Sequence, residues 1–242
     1  DTPTTIVSNL KDDGYTCIAM HPYYETGWSR NLVYPHIGFD EMHFIDYFDQ
    51  TKILREYITD QELYDKIIKR YENRKNNEKL FFMGITMQNH GGYTETYDNF
   101  PENYYKVGRS YTDANQYLSL VHESDEAVKN LISYFSKVDD PVEIIFFGDH
   151  QPSLNSNFYP ILNGKGLTGL TEDELEKLYT VPFFIWTNYD TPEETVDITS
   201  LDYLSTMALE RAGIELPAYN KFLADMQEVV PAINSRGYYS KS

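Results

Sequence analysis

The sequence predicts an α/β fold whose mostly parallel sheet is flanked by helices on both faces. Short continuous apolar segments alternate with longer amphipathic segments along the 242 residues. Strands that alternate with helical segments in this way indicate parallel pairing through crossover helices. The length suits one α/β domain with a large core, so residues 1–242 are predicted to form one domain.

Four apolar segments of strand length predict the sheet. Continuous apolar character over such short runs is typical of strands that are buried on both faces. The predicted strands are 14–20 (GYTCIAM), 80–87 (LFFMGITM), the run VEIIFF that begins at Val142, and 181–187 (VPFFIWT).

Capping signals and helical spacing predict the helices. Residues 59–74 begin with an N-cap candidate, Thr59, carry acidic residues in the first turn and end in basic residues, which favours a helix. Residues 22–40 carry no such pattern and are predicted to form a long loop, which is usually functional. Further helices are predicted over 6–12 with a terminal Gly14, over 111–138, over 171–178, and over 200–212 with a terminal Gly213.

The charge and the cysteine content exclude several classes of protein. The formal net charge is −18, and a nucleic-acid partner is not expected because the sequence has no basic stripe for phosphates. The single cysteine, Cys17, cannot form an internal disulfide and is predicted to be a small buried residue. The sequence has no run of 18 apolar residues and no export signal, so this chain is expected neither to span a membrane nor to direct its own export.

The strongest chemical signal is an Asp-His pair directly after the third predicted strand. Gly148 allows the backbone to bend, Asp149 and His150 follow it, and Pro152 prevents a helix from starting at once. Open α/β folds place their chemistry at the carboxyl ends of strands, so the pair is interpreted as two metal ligands. The alternative is a turn in which the aspartate caps the next segment and the histidine is solvated.

Other strand ends and loops contribute candidate substrate-binding residues. His21 ends the first predicted strand and either joins the site or caps a turn. Trp28 is either a loop anchor or a pocket wall beside Arg30, whose guanidinium suits an anion. His90 precedes two glycines that let a ligand approach the backbone, which favours a substrate contact over a core histidine. The remaining histidines are interpreted as structural or surface residues: His36, His43 and His122.

The order of these motifs carries a family resemblance. The segments HPYYETGWSRNLVYPHIGFDE, FFMGITMQNHGGY and IIFFGDHQPSL, followed by VPFFIW and DITSLDYLSTMALERAGIELPAYNKFL, are similar to segments of the lipoteichoic acid synthase family of phosphoglycerol transferases. That family lies within the sulfatase and alkaline phosphatase superfamily, and the resemblance covers nearly the whole chain. It implies an alkaline phosphatase/sulfatase-like fold, a catalytic domain on the extracellular side of a cell membrane, and a glycerol-phosphate lipid or polymer as substrate.

The resemblance also implies roles for the candidate residues. Asp149 and His150 would be ligands of a divalent metal, usually manganese in this family. In the family, a metal-bound threonine takes the phosphoglycerol group and passes it to a growing polymer or another acceptor. A cation, an arginine and a histidine neutralise the charge of the transferred phosphoryl group. The residues that would hold glycerol phosphate are Trp28, Arg30, His90 and, by a weaker match, His21.

The family's nucleophile is expected to lie upstream of this chain. An acidic metal ligand and the threonine nucleophile both precede the family segment that matches residues 14–20, and thirteen residues precede that segment here. We therefore expect no catalytic nucleophile in this chain, missing N-terminal strands, and the C-terminal part of a longer membrane-anchored enzyme. The isolated chain is expected to be inactive, because enzymatic metal sites use three or more protein ligands. An uncovered sheet face is expected to permit dimerisation.

Other functions stay open from the sequence. A related sulfatase, phosphatase or phosphoethanolamine transferase shares the metal-centred fold and differs in its substrate pocket. A non-catalytic module would bind a phosphate ligand without turnover. An interaction protein without a pocket ranks last, because aromatic residues spread through a chain, here 15% of the total, more often build cores than recognition surfaces.

Overall fold

The structure is a computed structural model that describes residues 5–100, 111–234 and 237–239. Its strands are β1 (Tyr15–Met20), β2 (Glu41–His43), β3 (Ile53–Leu54), β4 (Tyr57–Ile58), β5 (Lys79–Gly84), β6 (Glu143–Phe147), β7 (Phe183–Thr187), β8 (Ala232–Ile233) and β9 (Tyr238–Tyr239). Its helices are α1 (Ile6–Asp12), α2 (Arg30–Ile37), α3 (Asp60–Glu72), α4 (Thr112–Phe135), α5 (Tyr159–Asn163), α6 (Glu172–Glu176), α7 (Leu201–Arg211) and α8 (Ala218–Val229).

A parallel sheet of three strands in the order β2–β1–β5 forms the centre. β1 pairs with β5 over its whole length, so that Cys17 lies opposite Phe81, and its second half pairs with β2. The predicted α/β fold with a parallel sheet is confirmed. The fourth predicted strand, β7, departs from the parallel pattern because it pairs antiparallel with β6.

Helices cover both faces of β1, as predicted. Alternate residues of a strand point to opposite faces of the sheet. Ile18 and Met20 pack in one buried cluster with side chains of α3 and α4. Cys17 and Ala19 pack in a second cluster with side chains of α1 and α7. Two cores on opposite sides of one strand hold the end of that strand, and the loop after it, in a fixed position.

The antiparallel pair β6–β7 contributes to the first of these cores. Phe146 and Phe184 stack with ring centroids 5.4 Å apart and pack against the cluster formed by α3 and α4. No ladder joins β5 to β6 within residues 5–100, 111–234 and 237–239. The expectation of further strands upstream stays a prediction.

The predicted helices are confirmed, with small differences at their ends. Thr59 caps α3 by accepting a hydrogen bond from the Glu62 backbone N–H. Gly14 and Gly213 follow α1 and α7 at φ +83° and +69°, values that glycine tolerates best. The helix predicted over 171–178 is shorter than expected, since α6 is followed by a 3₁₀ turn.

The prediction of an unstructured loop over residues 22–40 is wrong. This segment contains a 3₁₀ turn and α2, which carries Pro35 inside the helix. Tyr34, which is buried, packs its ring against Phe39 and Phe44 at 5.3 and 6.2 Å between centroids. Tertiary packing of this one residue anchors a short helix that proline and the flanking glycines disfavour locally.

Two further predictions concern the burial of Cys17 and the absence of a membrane-spanning segment from this chain. Cys17 is fully buried, and burial, together with the nearby Asp40 carboxylate, raises the pKa of its thiol to about 11. The predicted role as a small buried residue is therefore confirmed. In the described part of the chain, no helix has both the length and the apolar character needed to cross a membrane.

Candidate functional site

The carboxyl ends of β1 and β5 meet at one edge of the sheet because the two strands are parallel. His21 follows β1 and is 1% exposed. Its Nδ1–H donates to the Ile85 carbonyl oxygen at 2.9 Å, and its backbone N–H donates to the His43 carbonyl oxygen. These bonds lock the imidazole across the ends of three strands.

The buried imidazole of His21 is held neutral. Burial, with a smaller contribution from the Arg30 charge, lowers the pKa of His21 to about 4. Since Nδ1 carries the proton, Nε2 presents a lone pair, and no atom of the described residues hydrogen-bonds to it. The site therefore contains one buried acceptor without a partner among the described residues, in an imidazole whose ring lies 6.0 Å from the Trp28 ring.

The depressed pKa of His21 predicts a pH-dependent stability. The unfolded chain binds a proton near pH 6.5 and the folded chain only near pH 4, so stability is lost as pH falls through this window. Between pH 7.5 and 5 we expect the free energy of unfolding of wild type, relative to His21→Asn, to fall by about 2 kcal/mol. Urea titrations of both proteins at each pH measure this difference.

The comparison with His21→Asn isolates this one group. Burial raises the pKa of Asp60 to about 6 and of Glu143 to about 7, and these carboxyls act in the opposite direction in both proteins. The asparagine amide retains a donor for the Ile85 carbonyl. Parallel pH profiles for the two proteins would contradict the buried neutral imidazole.

Trp28 and Arg30 form one stacked unit beside His21. The Arg30 Cζ lies 4.4 Å from the centroid of the Trp28 ring, a cation–π distance. Arg30 also donates through Nε to Tyr34 Oη at 3.0 Å and through Nη1 to the Gly27 carbonyl at 3.2 Å. A guanidinium has five N–H donors, so these two contacts fix its plane and leave further donors for an anion.

The backbone at Trp28 is strained, although the side chain is largely exposed. Trp28 and Ser29 adopt φ values of +53° and +56°, in the left-handed region that residues with a Cβ disfavour. The Trp28 side chain is 59% exposed, so burial of the indole does not compensate for the strain. Strain of this kind is concentrated at ligand sites, which supports a functional role for the ring.

His90 faces the stacked unit from the loop after β5. Its ring lies 5.9 Å from the Trp28 ring and 5.6 Å from the Tyr57 ring, and Tyr57 Oη lies 3.3 Å from Nδ1. The loop turns at Gly92, which has φ +90°. His90 is exposed and is therefore not a core histidine, and its contact with substrate stays a prediction.

Two tyrosines that the sequence does not single out, Tyr23 and Tyr57, extend the group of rings around Trp28. We call this group, together with His21 and His90, the aromatic wall. The Tyr23 ring lies 6.0 Å from Trp28 and 6.3 Å from Tyr57. Tyr23 directly follows the His-Pro pair at the end of β1, and this position was a usable signal. Tyr57 comes from the short hairpin β3–β4, where two-residue strands leave no periodic pattern to detect.

The Asp149–His150 pair follows β6 directly after Gly148. A Cβ on Gly148 would lie 3.0 Å from the Cβ of Val181, a tight contact that a larger residue could make only if Val181 moved by a few tenths of an ångström. The side chains of Asp149 and His150 are 84% and 76% exposed, and Oδ2 and Nε2 lie 3.5 Å apart. His150 Nδ1 donates to the Gln151 carbonyl at 2.9 Å.

This pair has the donor chemistry for part of a divalent-metal site. The Nδ1 bond to a carbonyl leaves the His150 Nε2 lone pair available, which is the usual orientation of a metal-binding histidine. The Asp149 carboxylate supplies a charged oxygen next to it. The pair thus offers two protein ligands, and among residues 5–100, 111–234 and 237–239 no cluster of three or more metal-binding side chains forms.

The structure thus brings the predicted residues together in two groups. The first contains the rings and the guanidinium at the ends of β1 and β5: His21, Trp28, Arg30 and His90. The second is the Asp149–His150 pair after β6, whose aspartate acts electrostatically on Tyr93 in the loop after His90. Burial, together with Tyr117 and Asp149, raises the pKa of Tyr93 to about 12. The assignment of these residues to substrate and metal stays a prediction.

The arginine, the tryptophan and the histidines lie together at the carboxyl ends of strands in a parallel α/β sheet, which is where folds of this class place their binding sites. The chain belongs to the Sulfatase family, which it matches over residues 1–214. The predicted resemblance to lipoteichoic acid synthase-like members of the alkaline phosphatase/sulfatase superfamily is confirmed.

Two curated relatives and one solved structure illustrate this placement. A Rhizobium meliloti (strain 1021) protein whose name refers to cyclic beta-1,2-glucan modification is 26% identical over 232 residues, 93% of this chain and 36% of that protein. The lipoteichoic acid synthase of Staphylococcus saprophyticus subsp. saprophyticus is 30% identical over 146 residues, 58% of this chain and 22% of that protein. The Streptococcus pyogenes phosphoglycerol transferase GacH, in complex with sn-glycerol-1-phosphate, shares the fold with a TM-score of 0.72 and 21% identity, over 92% of this chain and 56% of that chain.

The chain therefore spans about a third or less of the length of these two curated relatives.

Proposed function

We propose that this chain is the substrate-binding portion of a metal-dependent phosphoglycerol transferase, which moves glycerol phosphate from a lipid donor to a cell-envelope polymer. The observation that carries the proposal is the Arg30 guanidinium stacked on the exposed Trp28 ring, with the His90 ring 5.9 Å from the same indole. The related superfamily members named above support a transferase of this type.

The chemistry of the aromatic wall suits glycerol phosphate. The Arg30 guanidinium offers donors to the phosphate oxygens, and the Trp28 ring offers an apolar face to the glycerol carbons. The rings of the neutral His21 and of His90 lie 6.0 and 5.9 Å from that ring and add imidazole nitrogens to the same site. A local cation matters here because the whole chain carries a formal charge of −18, which repels a free anion.

A divalent metal, which we propose to be manganese, would be held by Asp149 and His150. Such a cation supplies charge neutralisation for the nonbridging phosphoryl oxygens. Superfamily members of this kind typically depend on a divalent metal. Because Asp149 and His150 supply two protein ligands and enzymatic metal sites use three or more, we expect little turnover from the 242-residue polypeptide by itself.

Donor, acceptor and location belong to the same proposal. We propose a lipid-linked glycerol phosphate as donor, an envelope polymer as acceptor, and attachment of the whole protein to a cell membrane with the site on the extracellular side. The relatives that are lipoteichoic acid synthases support this placement. Self-association through an open edge of the sheet stays a prediction.

Ligand binding to the 242-residue chain tests the proposal. We expect isothermal titration calorimetry to detect sn-glycerol-1-phosphate, with weaker binding of inorganic phosphate and none of glycerol. His90→Ala and Trp28→Ala are each expected to lower the affinity about tenfold, since each removes one side of the pocket. His36→Ala, which changes an exposed histidine of α2, is the matched control and should bind as wild type does.

Two results would contradict the proposed function and favour a different one. Equal affinity for inorganic phosphate, sulfate and glycerol phosphate would point to a general ester-binding site, as in a related sulfatase or phosphatase. An unchanged affinity in both His90→Ala and Trp28→Ala would show that the ligand lies outside the aromatic wall.

A further inference from the structure

We propose that Arg55 is a positioning residue of this site, whose buried guanidinium fixes loop 88–92 and so holds His90 against Trp28. The last step of this inference, the effect on ligand binding, rests on the proposed function. The first step, the placement of the loop, stands on contacts that involve no ligand.

The guanidinium of Arg55 donates hydrogen bonds to three backbone carbonyls of loop 88–92. Nη2 donates to the Gln88 carbonyl at 2.8 Å and to the His90 carbonyl at 2.9 Å, and Nη1 donates to the Gly92 carbonyl at 3.0 Å. Every second carbonyl of the loop therefore turns toward one planar group. A fourth bond, from Nη1 to Gln116 Oε1 at 3.2 Å, ties the same guanidinium to α4.

The backbone at Arg55 indicates that the side chain is required there. Arg55 and Glu56 form the two-residue turn between β3 and β4, and Arg55 has φ +55°. Glycine is favoured at turn positions with positive φ, because a Cβ is strained in that region. An arginine at such a position contradicts the local preference, and its contacts with the loop explain the exception.

Stability alone is a weak reason for burying this cation. Arg55 is 4% exposed, and none of the described residues forms a salt bridge with it. Its neighbours are carbonyl oxygens and the rings of Tyr57, Tyr93 and Tyr97, with centroids 5.7, 5.4 and 6.0 Å from Cζ. Buried charges are expensive and are often replaced by apolar residues without loss of stability, so a buried arginine of this kind is better explained by the geometry that it imposes.

The hairpin that carries Arg55 also touches the His90 ring. Tyr57, two residues later, places its hydroxyl 3.3 Å from His90 Nδ1. The hairpin thus holds the backbone of the loop through Arg55 and the imidazole through Tyr57. Without the guanidinium, three carbonyls would lose their donor, and we expect the loop to sample other conformations.

The sharpest variant is Arg55→Gly, which removes the guanidinium and relieves the backbone strain at the same position. If Arg55 served only the turn, glycine would be neutral or stabilising. We expect instead faster amide hydrogen exchange, confined to residues 88–92, and an affinity for sn-glycerol-1-phosphate that is at least tenfold lower. Arg55→Lys keeps the charge without the planar fork, and we expect it to restore the affinity only in part.

Controls separate positioning from general damage. Arg74→Ala breaks an ion pair with Asp140 and a stacking contact with Tyr71, and it should leave both exchange at 88–92 and affinity unchanged. Arg55→Gly made in a His90→Ala background should cost no further affinity, because the residue acts through His90. If Arg55→Gly does not fold, Arg55→Lys carries the same comparisons.

The outcomes distinguish this inference from the proposed function. Wild-type affinity and exchange in Arg55→Gly, or an equal loss of affinity with and without His90, would overturn the positioning role. If wild type binds no glycerol phosphate, the proposed function fails, and hydrogen exchange still decides the role of Arg55. Faster exchange limited to 88–92 supports that role, and unchanged exchange overturns it.

Discussion

Replacing Arg30 by alanine is expected to lower the affinity for glycerol phosphate by about 100-fold or more, which places binding beyond detection in most assays. Charge-assisted hydrogen bonds contribute about 1.5–3 kcal/mol each, and a guanidinium can make two of them to one phosphate. The plane of this guanidinium is already fixed by Trp28, Tyr34 and the Gly27 carbonyl, so little entropy is lost on binding.

The conservative variant Arg30→Lys makes this prediction more specific. Lysine retains the charge without the fork, so we expect an intermediate loss and a weaker preference for phosphate esters over simple anions. Calorimetric titration with sn-glycerol-1-phosphate measures both variants, and Arg74→Ala controls for the loss of any one arginine. An Arg30→Ala protein that binds like wild type would remove the observation on which the proposed function depends.

Much of the fold is predictable because apolar side chains of β1 and β5 pack into clusters on both faces of the sheet. β1 and β5 are continuous apolar runs, which is the pattern that a strand needs between two helical layers. The direction of β7 was not predictable in the same way. An apolar run such as 183–187 shows the same sequence pattern whether the strand pairs parallel or antiparallel. The direction is decided by its partner β6, which lies about 40 residues away in the sequence.

The failure over residues 22–40 has a different physical origin. Pro35 and the neighbouring glycines disfavour regular structure locally, so local propensity alone predicts a loop over this segment. The decisive interaction is the burial of Tyr34 against Phe39 and Phe44, which no local pattern reveals. This packing places Arg30 in the first turn of α2, beside the end of β1.

Position at strand ends explains which site residues the sequence reveals. His21, His90 and Asp149 each follow an apolar strand, and parallel topology brings the first two to one edge. Tyr57 and Arg55 lie in a hairpin of two-residue strands that has no such signal. Their contribution comes from long-range contacts with the loop of His90, which only the folded chain creates.

Replacing Asp149 by asparagine is expected to remove most of the affinity of this chain for manganese. Asp149 and His150 supply one charged oxygen and one imidazole nitrogen, and two protein ligands hold a cation weakly, with an affinity on the order of millimolar. Asparagine keeps the size of the side chain and removes the charge, so most of that weak affinity is lost. The side chains of Asp149 and His150 are largely exposed, so neither Asp149→Asn nor a substitution of His150 should lower the thermal stability of the fold.

Electron paramagnetic resonance titration of Mn²⁺ into the 242-residue chain measures this binding directly. His150→Ala should have the same effect as Asp149→Asn, and Asp139→Asn, which changes an exposed carboxylate at the opposite end of β6, should have none. Equal Mn²⁺ binding by wild type and Asp149→Asn would show that the cation lies elsewhere on this acidic chain. A loss in both site variants, with Asp139→Asn unchanged, would place the metal at the Asp149–His150 pair after β6.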